Sequence, residues 1–380
     1  MLNKNFFGLL LIVSVSCGKS VDNATVETFK YSVDTVSVDS KGHLLYLDYN
    51  LRKSDYCQQD EFLYSYNGFD HSIDKIDLDR LEFVEKFPLQ VEGPDGLGSR
   101  IYTVKSLGNG KLFFEGEITG IITLDSTLVE KIDWNKISRL NGGITDEDYL
   151  QQHVVNPYVD NKAFALAIDH SANRVSLKKL NTTDNMISTY EIDPNGNYKK
   201  YILGDLTNFN KWDPRVFLTS QQEKIIVSHE FSNDFYVYSS GSDHLEQISY
   251  SSNYTPSRVT ITTEGDFINS TDDRINALQS YLEQVSFGIL TWDSQNKRYY
   301  RLSSSSKFGE EKRENRILHE TISVKVFLSM FDEHFSLIGE IPIPELRNGS
   351  SVKYFVKDGM LWVFENIDDE MGFIRLAISQ

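Results

Sequence analysis

Short apolar runs, each about five residues long and separated by polar turns, recur along most of this chain. Six copies begin at Glu61-Phe62-Leu63-Tyr64, Lys111-Leu112-Phe113-Phe114, Lys162-Ala163-Phe164-Ala165, Lys224-Ile225-Ile226-Val227, Arg298-Tyr299-Tyr300-Arg301 and Met360-Leu361-Trp362-Val363. Measured from Phe62, Leu112, Ala163, Ile225, Tyr299 and Leu361, the intervals are 50, 51, 62, 74 and 62 residues. The runs are rich in aromatic and β-branched residues and too short for helices, so each predicts a strand. An exit pattern repeats as well, in Leu78-Asp79-Arg80-Leu81-Glu82-Phe83, Leu124-Asp125-Ser126-Thr127-Leu128 and Phe331-Asp332-Glu333-His334-Phe335. In each an apolar strand meets Asp, whose carboxylate can hold turn amides, and a second strand runs back.

A four-stranded antiparallel unit recurring about every 50 residues predicts an all-β fold, a β-propeller of six blades. The first strand of each blade is expected at Leu44 to Tyr49, Ile101 to Lys105, His153 to Tyr158, Val216 to Thr219, Phe287 to Trp292 and Val352 to Val356. The long fourth interval holds an insertion, and a seventh blade follows only if it hides strands at Val259 to Ile261 and beyond. Ser270, Asp272 and Asp273 read as a helix start there, and Ile275, Leu278 and Leu282 recur at helical spacing, which predicts a short helix near 271–283. A second capped turn is expected at Thr145 to Asp148. The last unit runs out of chain after three strands, whereas Phe29 to Val38 alternates like a strand with no blade of its own. The alternation predicts that residues 29–38 supply the missing outer strand, closing the ring and covering an exposed edge.

The first residues follow a different rule. Lys4 precedes an apolar run from Phe6 to Val15, and Ser14-Val15-Ser16-Cys17-Gly18 supplies small residues. A helix of ten residues is roughly 15 Å long, half of what a bilayer core requires, so residues 1–16 read as a secretory signal rather than a span. The stretch resembles the bacterial lipobox, with Ser14 where that pattern usually has Leu. That resemblance implies acylation of Cys17 with palmitate-type chains, residues 17–27 as a lipidated tether, and Gly18 as a sorting residue for the outer membrane. The expected partner is then the lipid bilayer of the cell envelope, held through Cys17, with residues 28–380 forming a single propeller domain. Each buried methylene contributes about 0.8 kcal/mol, so several chains make a lasting anchor.

Charge narrows the partners further. Loss of the signal takes Lys4 with it and leaves 55 acidic residues facing 37 basic ones, a balance that repels nucleic acid and anionic lipid. Cys57 is the one cysteine besides Cys17, so no internal disulfide is expected, and its acidic surroundings do not favour a thiolate. No metalloprotease, phosphate-loop, nucleophile-elbow or calcium-loop motif is present, and the eight histidines are dispersed, so neither a catalytic residue, a metal site nor a cofactor is predicted. Glu92-Gly93-Pro94-Asp95-Gly96-Leu97-Gly98 reads as a turn between blades. Two aromatic and basic clusters are the candidate ligand-binding residues: Trp212 with Arg215, and Tyr300 with Arg301. Aromatic faces can stack on sugars and Arg can grip a carboxylate through two parallel hydrogen bonds.

The chain resembles lipoproteins of the domain of unknown function 4221 family. The likeness is carried by Ser16-Cys17-Gly18, Asp70-His71-Ser72-Ile73-Asp74-Lys75-Ile76-Asp77-Leu78, the Glu92 to Gly98 turn, Tyr299-Tyr300-Arg301 and Phe331-Asp332-Glu333. None of these is a catalytic signature, and the resemblance implies location and fold rather than chemistry. The leading expectation is a membrane-anchored, non-enzymatic propeller that binds an envelope protein or glycan. The alternative is an envelope hydrolase or lyase whose site lies in the propeller funnel. A cluster of carboxylate, His or Arg side chains at one mouth of the channel would discriminate the two.

Overall fold

Each predicted repeat becomes one antiparallel four-stranded sheet in the computed structural model, which describes residues 29–380 except 160, 170, 172–173, 195, 205–210, 262–270 and 313–317. Blade 1 comprises Ser54–Cys57, Phe62–Asn67, Ser72–Asp77 and Glu82–Pro88, and blade 2 Ile101–Gly108, Lys111–Gly116, Gly120–Thr123 and Leu128–Lys131. Blade 3 is Asp148–Val155, Lys162–Asp169, Arg174–Asn181 and Met186–Glu191, and blade 4 Val216–Gln221, Lys224–His229, Phe235–Ser239 and His244–Ile248. Blade 5 is Ser286–Asp293, Arg298–Lys312, His319–Phe331 and Leu337–Pro342. Blade 6 takes Tyr354–Lys357, Met360–Ile367 and Glu370–Ser379 from the end of the chain and Lys30–Ser37 from its start. The architecture is therefore a six-bladed, all-β propeller, and the first strand of every blade lines the central channel.

The second strands explain why the blades stack. Ala163 to Ile168 are all buried, because both faces of this sheet meet a neighbour. The small Ala163 and Ala165 face the blade 2 side with Phe113 and Trp134, while Phe164, Leu166 and Ile168 pack toward blade 4 with Val216, Ile225 and Tyr238. The same arrangement joins blade 6 to blade 1 through Trp362, Phe373, Leu63 and Ile76, and blade 5 to blade 6 through Leu302, Leu328, Leu361 and Leu376. Each such fully buried side chain contributes about 1.5–3 kcal/mol relative to exposure, so the core is distributed around the ring.

Ring closure follows the strand count. Lys30 pairs with Ser379 and Ser37 with Gly372, and Arg375 grips Asp34 across the ladder with Nε 2.7 Å from Oδ1. The chain then crosses directly to the next blade: the Asp39 amide donates to Leu81 O (2.7 Å) and the Phe83 amide to Asp39 O (2.9 Å). The eight paired residues and this crossing form the seam of the ring.

Two expectations need correction. Residues 44–49 are not the first strand of blade 1; Tyr49, Asn50 and Leu51 have φ of 56°, 54° and 56°, a left-handed turn that cannot join a ladder, and the strand begins at Ser54. The inner strand of blade 3 begins at Asp148 rather than His153. Thr145 to Asp148 is a capped turn, as expected, with Asp148 accepting from the Thr145 amide (3.0 Å), and a capped helix, Trp134–Asn141, precedes it, where the Asp133 carboxylate accepts from the Lys136 amide (2.9 Å). The insertion helix spans Thr271–Leu282; its expected cap, Ser270, lies outside the described residues, as do Cys17 and the whole of 1–28. No seventh four-stranded sheet forms among the described residues: Val259 is tied to the body by its amide donating to Phe231 O (2.9 Å).

Candidate binding funnel

The first strands run alongside one another around the axis, and at the end where they begin they leave a cavity of about 300 Å³. All six blades contribute to it. Arg52 and Lys53 enter from blade 1, Tyr102 and Lys105 from blade 2, His153 from blade 3, Arg215 and Phe217 from blade 4, Ile289 from blade 5 and Lys353 from blade 6. A smaller cavity of about 170 Å³ opens at the other end, and Lys105 and Lys353 border both.

Local backbone irregularity builds this mouth. The first strands of blades 2, 3 and 5 carry bulges that leave Tyr102, Gln152, His153 and Ile289 outside the regular pairing, and all four line the cavity. A bulge turns a side chain out of the alternating pattern, and here each turns toward the axis. Blade 1 uses the left-handed turn instead. Non-glycine residues in that region cost about 1–2 kcal/mol each. The surroundings fix this turn: Leu51 is buried, Asn50 O accepts from the Lys353 amide (3.0 Å), and Ser54 Oγ donates to Leu51 O (2.6 Å). The result delivers Tyr49, Arg52 and Lys53 to the rim.

The carboxylates at this mouth are all engaged. Asp55 sits between two ammonium groups, Lys353 Nζ at 2.9 Å and Lys105 Nζ at 3.2 Å, and also accepts from the Ser106 amide (3.1 Å). Burial alone would raise its carboxyl, but the two lysines outweigh that and hold it below its ordinary value. Lys353 shows the converse. Burial pushes its ammonium down to about 8 against the pull of Asp55, and its Nζ also donates to Ser54 O (2.7 Å). Glu230 accepts from the Arg215 side chain, from the Arg215 amide (3.1 Å) and from Ser286 Oγ (3.0 Å). Burial opposes both charges of this pair, and their mutual attraction overcomes it, lifting Arg215 and lowering Glu230. Glu115 lies 3.0 Å from His153 Nδ1.

Two cations are left over. Arg52 donates through Nε to Tyr49 O (3.1 Å) and makes no ion pair among the described residues. Its side chain is exposed at the rim; partial desolvation beside the funnel wall and the nearby Arg215 guanidinium depress it, while Glu230 pulls the other way. Lys53 also lacks an acidic partner among the described residues; its Nζ lies 4.8 Å from the Tyr49 ring centre and 5.4 Å from that of Tyr66, and burial lowers it.

The residues singled out from sequence do not converge. Arg215 lines the funnel. Trp212 packs edge-on against Tyr281 of the insertion helix, 4.7 Å between ring centres, beside the buried core that joins blades 3 and 4. Tyr300 and Arg301 are both 0% exposed. The Tyr300 hydroxyl donates to Asp293 (3.0 Å) and accepts from Arg298 Nε (2.7 Å). Arg301 donates to the carbonyls of Gly288 (3.0 Å), Asn233 (2.7 Å), His229 (3.1 Å) and Ser232 (3.3 Å), joining blades 4 and 5. These two residues are interior struts and present no surface to a ligand. Sequence reasoning missed Arg52, Lys53, Lys105 and Lys353; their one signal was a basic residue at or just before the first strand of several repeats in an otherwise acidic chain.

Fold and funnel together define a six-bladed propeller with a basic site on its axis. The chain belongs to the family described as domain of unknown function 4221, whose pattern matches residues 25–342. A crystal structure of a member of this family from Bacteroides vulgatus superposes with a TM-score of 0.63 at 13% identity, covering 93% of this chain and 99% of that one. More distant likenesses are a luciferin-regenerating enzyme (TM-score 0.44, 9% identity, 92% and 95% covered) and the calcium-binding protein regucalcin from Agrobacterium tumefaciens (0.41, 8%, 87% and 93%). No curated protein sequence matches the chain. Among the described residues no group of three or more His, Cys, Asp or Glu is placed to hold a metal ion.

Proposed function

We propose that this protein is a membrane-anchored lipoprotein of the cell envelope that binds an envelope ligand, protein or glycan, in the axial funnel without transforming it. The observation that carries the reading is the funnel itself: six blades converge on one cavity, and the carboxylates beside it are committed to Lys105, Lys353, Arg215 and His153. A general acid or base must be able to exchange a proton with substrate, and Asp55 and Glu230, held by Lys105, Lys353 and Arg215, are poorly placed to do so. The groups left open, Arg52, Lys53 and the rim tyrosines, are recognition groups.

One observation favours the enzymatic alternative. Burial brings Lys353 down to about 8, the range in which a lysine serves as a base. The test separates the two readings. The full chain in detergent micelles is incubated with fragments of envelope glycan and with solubilised envelope proteins, thermal unfolding is recorded, and the recovered ligand is analysed by mass spectrometry. Binding at about 100 times Kd should stabilise the fold by about 2.7 kcal/mol, with the ligand recovered intact. Cleavage products that vanish in Lys353→Met would establish the hydrolase or lyase instead.

A further inference from the structure

Resting on the reading of the funnel as a binding site, we infer that its ligand is a carboxylate-bearing sugar, seated with its acid group on Arg52 and Lys53. The charges point this way. Arg52, Lys53, Lys105, Arg215 and Lys353 face or border the cavity, against Asp55, Glu230 and Glu115, so the mouth holds a surplus of two positive charges when His153 is neutral. The whole chain carries −17. A cationic concavity in an acidic body favours a negative occupant, and Arg52, exposed at its rim, is a cation there with no carboxylate partner among the described residues, whereas Arg215 is already held by Glu230.

Geometry selects the kind of anion. The cavity, about 300 Å³, is at the small end of ligand sites, so it takes an end group rather than a strand or helix of a partner. Arg52 spends only Nε on the protein, and its two terminal nitrogens are unclaimed among the described residues. That fork matches the two oxygens of a carboxylate. Tyr49 and Tyr102 stand at the rim, 53% and 54% exposed, and offer flat aromatic faces of the sort on which sugar rings stack. Both are held there by unusual backbone, Tyr49 by the left-handed turn and Tyr102 by a bulge. The left-handed conformation at Tyr49 is strained, and strain of that kind persists where the surroundings impose it and clusters at ligand sites. The acidic exterior adds selectivity, since a polyanion that must lie along the surface is repelled while a single acidic terminus can enter.

The experiment is calorimetric titration of the full chain in detergent micelles with four probes: digalacturonic acid, the neutral disaccharide galactobiose, inorganic phosphate and hexaglutamate. Wild type is compared with Arg52→Gln, Arg52→Lys and the double variant Arg52→Gln/Lys53→Gln, each checked by thermal unfolding. Digalacturonic acid should bind best and weaken with added salt. Its affinity should fall about tenfold or more in the double variant, the scale of a lost charge-assisted hydrogen-bonded contact, and Arg52→Lys should recover part of it. If the double variant unfolds, the single Arg52→Gln and the salt dependence of wild type decide. Galactobiose binding as tightly, with no response to the Arg52 variants, would overturn the inference and leave the funnel as a binding site. Phosphate or hexaglutamate binding more tightly than the sugar acid would also overturn it. Silence from all four probes would overturn the inference, while the funnel reading would stand or fall on the binding of envelope glycan fragments and envelope proteins described above.

Discussion

Arg52 and Arg301 carry the same side chain and do opposite things. Arg301 is sealed between blades 4 and 5, where four carbonyls take its N–H groups and the rings of Phe287 and Phe235 lie 4.9 and 5.8 Å from its central carbon. Removing it strands carbonyls away from water, and such losses cost about 3–5 kcal/mol. Arg301→Ala should therefore lower the thermal midpoint by several degrees, read by circular dichroism, and Arg301→Lys should recover little of this because a point charge cannot reach all four acceptors. An unchanged midpoint would show that the residue is no strut. Sequence alone ranked Arg301 as a candidate contact because it neighbours Tyr299 and Tyr300, a cluster that reads equally as core. Arg52 drew no notice, since only the left-handed turn brings it to the axis, and three successive non-glycine residues at positive φ are not signalled by Tyr49-Asn50-Leu51.

At the scale of elements the legible parts were those set by local pattern. The second strand of every blade falls where the apolar runs lie, because a strand covered on both faces has an unbroken apolar signature. Two exit turns are equally local: Asp125 accepts from the Thr127 amide (3.1 Å) and Asp332 from those of His334 and Ser336 (2.9 and 2.8 Å), whereas in blade 1 the acceptor is Asp77, which takes the Asp79 and Arg80 amides (2.9 Å each), and not the expected Asp79. The first strands were harder. They face a channel that mixes polar and apolar groups, and their bulges break the alternation that marks a strand. The outer strand of blade 6 came from counting strands together with the alternation of Phe29 to Val38. It makes a prediction of its own: a chain starting at Gly42 loses Lys30–Ser37 and the crossing at Asp39, bares the edge at Glu370–Ser379, and should aggregate. One starting at Thr25 should stay monomeric by light scattering and melt in one transition. Equal behaviour of the two would mean that the seam contributes nothing to the ring.

For the molecule as a whole, the address and the ring are separate questions that meet at the N-terminus. The lipobox-like stretch makes a definite expectation: an alkyne fatty-acid analogue fed to the producing cells should label the wild-type protein, while Cys17→Ser should stay unlabelled and appear in the soluble fraction. Equal labelling of both would end the lipoprotein reading. Composition described the exterior well, but it could not show that basic residues drawn from four blades gather on the axis, since Arg52, Lys105, Arg215 and Lys353 are spread over some 300 positions and meet only when the ring closes.

The pairing of Lys30 with Ser379 also sets a timetable. A ribosome or an export channel delivers Lys30–Ser37 before any blade exists, yet its partner strand is nearly the last segment to arrive. Joining ends so far apart in sequence is slow, because the entropy of closing the loop is lost before the contacts repay it. The earliest strand has no native partner until Glu370–Ser379 has been made, so the seam of blade 6 cannot form before then. A chain lacking Glu370–Ser379 would lose the partner of Lys30–Ser37 and could not close the seam.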